Sequence, residues 1–352
     1  MTLTDSGLLI VDKPQGVTSH DIVAAVRGAL HMKRVGHAGT LDPMATGVLV
    51  VGFGNATRLL NVIVEHDKTY EATIRLGQGT TTDDAEGAII STHPVPAMSR
   101  AELQTIIDAR FTGTIDQVPN TYSAIKVNGQ RAYDLAREGQ DVQLKARPVT
   151  IHEFTVLDVR PVRVSDATGV RSVDSPQERM PEDADPHGGA IPALDVDVRV
   201  TCLAGTYIRA LARDLGVSLG VGGHLTRLRR IRVGRYRIDD PRTVTAHSER
   251  RTFTNRDGET VTRNRAVLDA SGDDLAVRAL SMVEAASAAM PVAAISETQA
   301  VDLRFGRRIR ITEETPRGGR LAAVVPERHD LVAIVEPCGH GMAKPVTVFP
   351  VE

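Results

Sequence analysis

The residues best placed for chemistry lie in one segment, Gly36-His37-Ala38-Gly39-Thr40-Leu41-Asp42-Pro43-Met44-Ala45-Thr46-Gly47. Three glycines permit tight turns and close approach of a ligand. Pro43 locks its own φ and pushes Asp42 out of the helical region. An aspartate held this way, just before the apolar run Val48–Val51, is rigidly aimed. A carboxylate there can add to carbon or take a proton. The same Asp-Pro pair also makes an ordinary turn. A second acidic group, Asp83, Asp84 and Glu86, sits in a turn-like run ending at Gly87. No His or Cys stands at ligand spacing beside either group, so a metal site is not expected. His37 alone, a single histidine in a glycine-rich loop, is more often structural than functional.

The chain has 352 residues, enough for about two domains. At 41% hydrophobic and 24% charged it can bury a core, so wholesale disorder is excluded. Two cysteines, Cys202 and Cys338, exclude a disulfide framework. No run is long and apolar enough for a transmembrane helix, and Met1–Asp5 lacks the features of a signal peptide. A cytoplasmic protein is expected. Aromatics are only 3%, which makes the core aliphatic and the five tyrosines conspicuous: Tyr70, Tyr122, Tyr133, Tyr207 and Tyr236. The net charge of −2 hides segregation. Residues 196–237 carry nine Arg against two Asp, a net +7, whereas 161–194 are net −3. Either a solvated arginine helix or an anion-binding face explains this.

Elements that could hold the aspartate follow from pattern. Gly7–Lys13 reads as a buried strand. Thr18 or Ser19 caps a helix with Ile22, Val23, Val26 and Leu30 on one face. Residues 35–47 read as loop, and 48–51 and 69–76 as strands. Glu102–Phe111 marks a helix, and 196–202 alternates as a half-buried strand. A helix over 206–215 is expected to stop at Gly216. Residues 161–194 and 246–275 look like polar, flexible surface excursions. Ser296–Gln299 looks like a capping box, and strand-like runs at 321–325, 331–335 and 346–349 make 285–352 a small β-rich module.

The Asp42 segment closely resembles the catalytic motif of pseudouridine synthases, in particular the bacterial TruB family that modifies uridine 55 in the T loop of tRNA. Other motifs agree in order. Gly7–Ser19 resembles the family's N-terminal motif, and Lys68-Thr69-Tyr70-Glu71-Ala72 its tyrosine motif. Thr82–Gly87 resembles the loop after it. Pro119–Gly129 with Arg131-Ala132-Tyr133 resembles the RNA-contacting segment, and Gly205-Thr206-Tyr207-Ile208-Arg209 the arginine motif. Together they span about 7–237.

The resemblance implies an α+β fold: a mixed, largely antiparallel central sheet flanked by helices, with a catalytic domain over 1–280 and a PUA-like RNA-binding domain over 285–352. It implies isomerisation of uridine to pseudouridine without a cofactor or metal. Asp42 is then the essential carboxylate, acting on base or ribose, and Arg209 its cationic partner. Tyr70 is then a catalytic residue too, stacking on the uracil and serving in proton removal at C5. His37 fills the space left by the flipped base. Asp84, Tyr122, Lys126, Arg131, Tyr133 and Tyr207 belong to substrate-contacting motifs, with Lys68 a phosphate or structural contact. The basic run of His224, Arg227, Arg229, Arg230, Arg232 and Arg235 fits phosphate contacts. The implied partner is the T stem–loop of tRNA, met by a monomer. Rival readings are a non-catalytic tRNA-binding or tRNA-folding protein, a synthase acting on ribosomal RNA, and a carboxylate hydrolase.

Overall fold

The computed structural model describes residues 5–121, 126–127, 130–131, 144–164, 191–254, 258–311 and 319–351. They fall into two compact units, Met1–His66 with Arg230–Glu352, and Asp67–Arg229.

The first unit is built on the strand Gly7–Lys13, which is buried on both faces. It pairs antiparallel with Thr46–Phe53, with Gly7 opposite Phe53 and Lys13 opposite Gly47. On its other edge it pairs parallel with Val244–Thr254. The segment expected as loop contains a short strand, Val35–Ala38, paired with Thr46–Phe53. Two neighbouring hydroxyls divide the work expected of one. Thr18 caps the helix Ser19–Ala29 in a reciprocal capping box with Asp21. Ser19 turns inward to the Asp42 loop. Ile22, Val23 and Val26 bury the helix against Leu9, Val11, Leu49 and Val51.

Residues 246–275 are not a structureless excursion. Val244–Thr254 and Thr260–Leu268 form a regular antiparallel hairpin from Ala246↔Leu268 to Thr254↔Thr260, and Gly272–Arg278 is a helix capped by Ser271. The tail forms a five-stranded sheet with Val292–Ala294 parallel to Leu321–Val325 and the other pairs antiparallel. Ser296 and Gln299 close the expected box before Glu297–Arg304. Ala322, Val324, Leu331, Ile334 and Phe349 share a core with Leu8, Ile10, Val48 and Val50.

In the second unit Lys68–Leu76 pairs antiparallel with Ile191–Cys202, Tyr70 lying opposite Val200. Ile191–Cys202 pairs with Arg147–Val164, and that strand with Gly113–Gln117. The acidic excursion therefore begins later than expected, because 161–164 and 191–194 continue the hairpin; its centre, 165–190, lies outside the described residues. The helix Arg100–Arg110 lies on this sheet, with the Gln104 amide bonded to Phe154 O and Val156 N.

The helix Ile208–Leu219 does not stop at Gly216. It ends at Gly220, whose φ of +73° supplies the left-handed cap. Gly216 serves packing instead. A Cβ there would lie 2.2 Å from Gly222 C and Gly223 N. Backbone cannot yield as a side-chain tip can, so Gly216→Ala is expected to destabilise the chain by about 2–3 kcal/mol, read as a lower denaturant midpoint at unchanged m-value. An unchanged midpoint would show that the helix slides freely.

Candidate active site

The Asp42 loop is pinned by its backbone. Ser19 Oγ accepts from Leu41 N at 2.8 Å and donates to Leu41 O at 3.1 Å. On the other flank, Pro43 O accepts from Gly16 N at 2.8 Å and from Lys13 Nζ at 3.3 Å. Lys13 is fully buried and also donates to Val17 O at 2.6 Å. Ala45 N closes the turn onto Asp42 O. The half-buried aspartate thus sits between two residues whose backbones are fixed, an arrangement that suits a group meant to be held in place.

His37 lies in Val35–Ala38, with Nδ1 buried and without a hydrogen-bond partner among the described residues. Burial first, and the Arg230 charge second, hold its pKa below the usual histidine value, so the ring is neutral at pH 7.

A second cluster lies in Asp67–Arg229. Tyr70 and Lys68 are buried on the strand Lys68–Leu76. Arg209, 5% exposed, opens the helix Ile208–Leu219. It donates to Thr82 O at 2.9 Å and pairs with Asp84 at 3.4 Å. Asp84, 3% exposed, also accepts from the Thr82 hydroxyl and from Glu86 N. Its neighbour Asp83 accepts from Asn120 Nδ2 at 2.6 Å and lies 3.5 Å from Arg213. Burial raises the Asp83 pKa against the pull of these partners. The acidic loop is therefore a folded strut, held by cations and an amide.

Tyr207 is the N-cap of the Arg209 helix and brings no capping side chain. Gln117 fixes that residue from the sheet instead: Oε1 accepts from Tyr207 N at 2.9 Å, and Nε2 donates to Tyr207 O at 3.1 Å. Neither Gln117 nor Asn120 carries a sequence signal beyond falling in or beside a motif.

The basic run is partly internal. His224 is buried, bonded to Gln78 O, and burial lowers its pKa. Arg227 stays largely exposed, 3.9 Å from Glu71. Arg230 corrects the expectation of a phosphate contact, because it is 1% exposed and, among the described residues, its guanidinium donates inward to main-chain carbonyls. Tyr236 is likewise a core residue, with its hydroxyl on Ala285 O at 2.8 Å. Tyr122, Tyr133 and the side chains of Lys126 and Arg131 lie outside the described residues. Among the described residues no group of three or more His, Cys, Asp or Glu is placed to hold a metal ion, and no helix is long and apolar enough to cross a membrane.

Comparison with known proteins agrees along the chain. Residues 27–171 match the model of the TruB family pseudouridylate synthase N-terminal domain. Residues 209–268 match the tRNA pseudouridylate synthase B C-terminal domain, and 290–350 the tRNA pseudouridine synthase II C-terminal model. A protein named tRNA pseudouridine synthase B from Bifidobacterium longum (strain NCC 2705) is 56% identical, over 99% of this chain and 98% of that one. One of the same name from Arthrobacter sp. (strain FB24) is 47% identical, over 98% and 96%. Among solved structures, a chain of an H/ACA RNP bound to a substrate RNA containing 2'-deoxyuridine aligns with a TM-score of 0.62 at 21% identity. It covers 98% of this chain and 85% of that one, and it shows a shared fold.

Proposed function

The chain belongs to the TruB family of pseudouridylate synthases, and from that premise we propose that it isomerises uridine 55 in the T loop of tRNA, with Asp42 as the reacting carboxylate. The glycosidic N–C bond breaks, the uracil turns, and C5 bonds to C1′. The C5 proton leaves to solvent and N1 regains one, so atoms balance without an oxidant or reductant. The observation that carries this reading is the Asp42 loop, fixed on both flanks by Ser19, Gly16 and Lys13. Such fixing suits a group that must meet one atom of an extruded base.

In this reading Arg209 partners Asp42, Tyr70 stacks on the uracil and neutral His37 fills its vacated place. Lys68, Asp84, Tyr122, Lys126, Arg131, Tyr133, Tyr207 and Arg227 contact the RNA. The enzyme works as a cytoplasmic monomer with a catalytic domain over 1–280 and an RNA-binding domain over 285–352. An unmodified T-arm stem–loop labelled with tritium at uracil C5 tests it. The expected result is tritium release and one pseudouridine, at the position of uridine 55. Conversion of a different uridine, or none, would overturn it.

A further inference from the structure

We propose that Arg230 is the positioning residue that fixes the Asp42 loop for the reaction. It is among the largest fully buried side chains, at 1% exposure. A buried guanidinium is costly unless its donors are used. Nε donates to Val48 O at 2.8 Å, Nη2 to Gly39 O at 3.0 Å and Nη1 to Thr40 O at 3.4 Å.

Those acceptors flank the aspartate. Gly39 and Thr40 lead into Asp42, and Val48 lies in the buried strand after it. One planar fork therefore ties the entry of the loop to its exit, which a single ammonium cannot span. The main chain of Arg230 adds to the clamp. Gly47, at φ +101°, approaches so closely that a Cβ would lie 2.1 Å from Arg230 O. The guanidinium charge also reaches His37 and favours its neutral form.

Arg230 touches no substrate in this account; it acts through the loop. The inference rests on Asp42 being the reacting carboxylate. Losing the fork lets the loop drift, and a displacement of about 1 Å costs roughly 10²-fold in rate. Such a defect falls on kcat, because the RNA-contacting surface is untouched.

The test compares full-length wild type, Arg230→Met and Arg230→Lys for kcat and KM on the T-arm stem–loop, with thermal unfolding measured in parallel. Arg230→Met is expected to lose about 10²-fold in kcat with KM near wild type. Arg230→Lys, which keeps the charge and part of the bonding, recovers part of that loss. If Arg230→Met does not fold, the kcat of Arg230→Lys carries the test. A lowered unfolding temperature with wild-type kcat would make Arg230 a core residue only, and a raised KM with unchanged kcat would make it an RNA contact; either overturns the inference. Inactive wild type would instead overturn the reading on which it rests.

Discussion

Asp42→Asn is expected to abolish pseudouridine formation while the chain still folds. The amide matches the carboxylate in shape but is neutral, so it neither adds to carbon nor takes a proton at a useful rate. The expected loss in kcat is roughly 10³-fold or more. The backbone of the loop is held by Ser19 on Leu41, Gly16 with Lys13 on Pro43, and Arg230 on Gly39 and Thr40, and the substitution leaves these bonds in place. The substitution is isosteric and the side chain is half-buried, so the expected change in stability is small beside the loss of rate. Tritium release from uracil C5, beside thermal unfolding, checks both. Wild-type turnover in the variant would remove Asp42 from the mechanism and favour a tRNA-binding role.

Arg209→Met should damage both stability and rate. Arg209 and Asp84 are both buried, at 5% and 3% exposure, and lie 3.4 Å apart. Breaking a buried pair from one side leaves the other charge uncompensated, at a cost of about 3–5 kcal/mol. The Thr82 hydroxyl and Glu86 N remain on Asp84 and soften the loss. The discriminating variant is the double one, Arg209→Met with Asp84→Asn. If the stranded charge dominates, the double variant regains much of the stability lost by the single one, while its activity stays low. Simple addition of the two losses in a denaturation cycle would show that the pair is not energetically coupled.

Much of the first unit is legible in sequence because its elements bury one face and obey one period. Gly7–Lys13 and Ser19–Ala29 stand where the apolar spacing puts them. The hairpin 244–268 is not, because it is exposed along most of its length and carries no alternation of apolar and polar residues. It is held by its ladder and by cross-strand side chains, including the Thr252–Thr262 hydroxyl pair and Arg263 over Phe253. Gly216 misleads for the opposite reason. A glycine after an apolar helical run is a stop signal locally, yet this one exists to admit the backbone of Gly222 and Gly223.

The site divides the same way. Asp42, Tyr70 and Arg209 stand in ordered motifs, so the amino-acid sequence alone displays them. The residues that orient their surroundings stay hidden there, because their partners are remote in the chain: Gln117 reaches Tyr207 across 90 residues, and Arg230 reaches Gly39 across 191. A charge sum along 196–237 counts Arg199, Arg209, Arg213 and Arg230 as free cations. In the folded chain three of them meet Glu71, Asp84 and Asp214, and the fourth is buried on carbonyls. The cationic surface is correspondingly smaller than the charge sum suggests, and Arg227 is one arginine that stays exposed.

The most direct measurement is a map of pseudouridine across the tRNA of cells lacking this chain, repeated after complementation with wild type and with Asp42→Asn. The expected map loses pseudouridine at position 55 alone, regains it with wild type and stays blank there with the variant. Pseudouridine persisting at position 55 in the deleted cells, or returning with Asp42→Asn, would contradict the account.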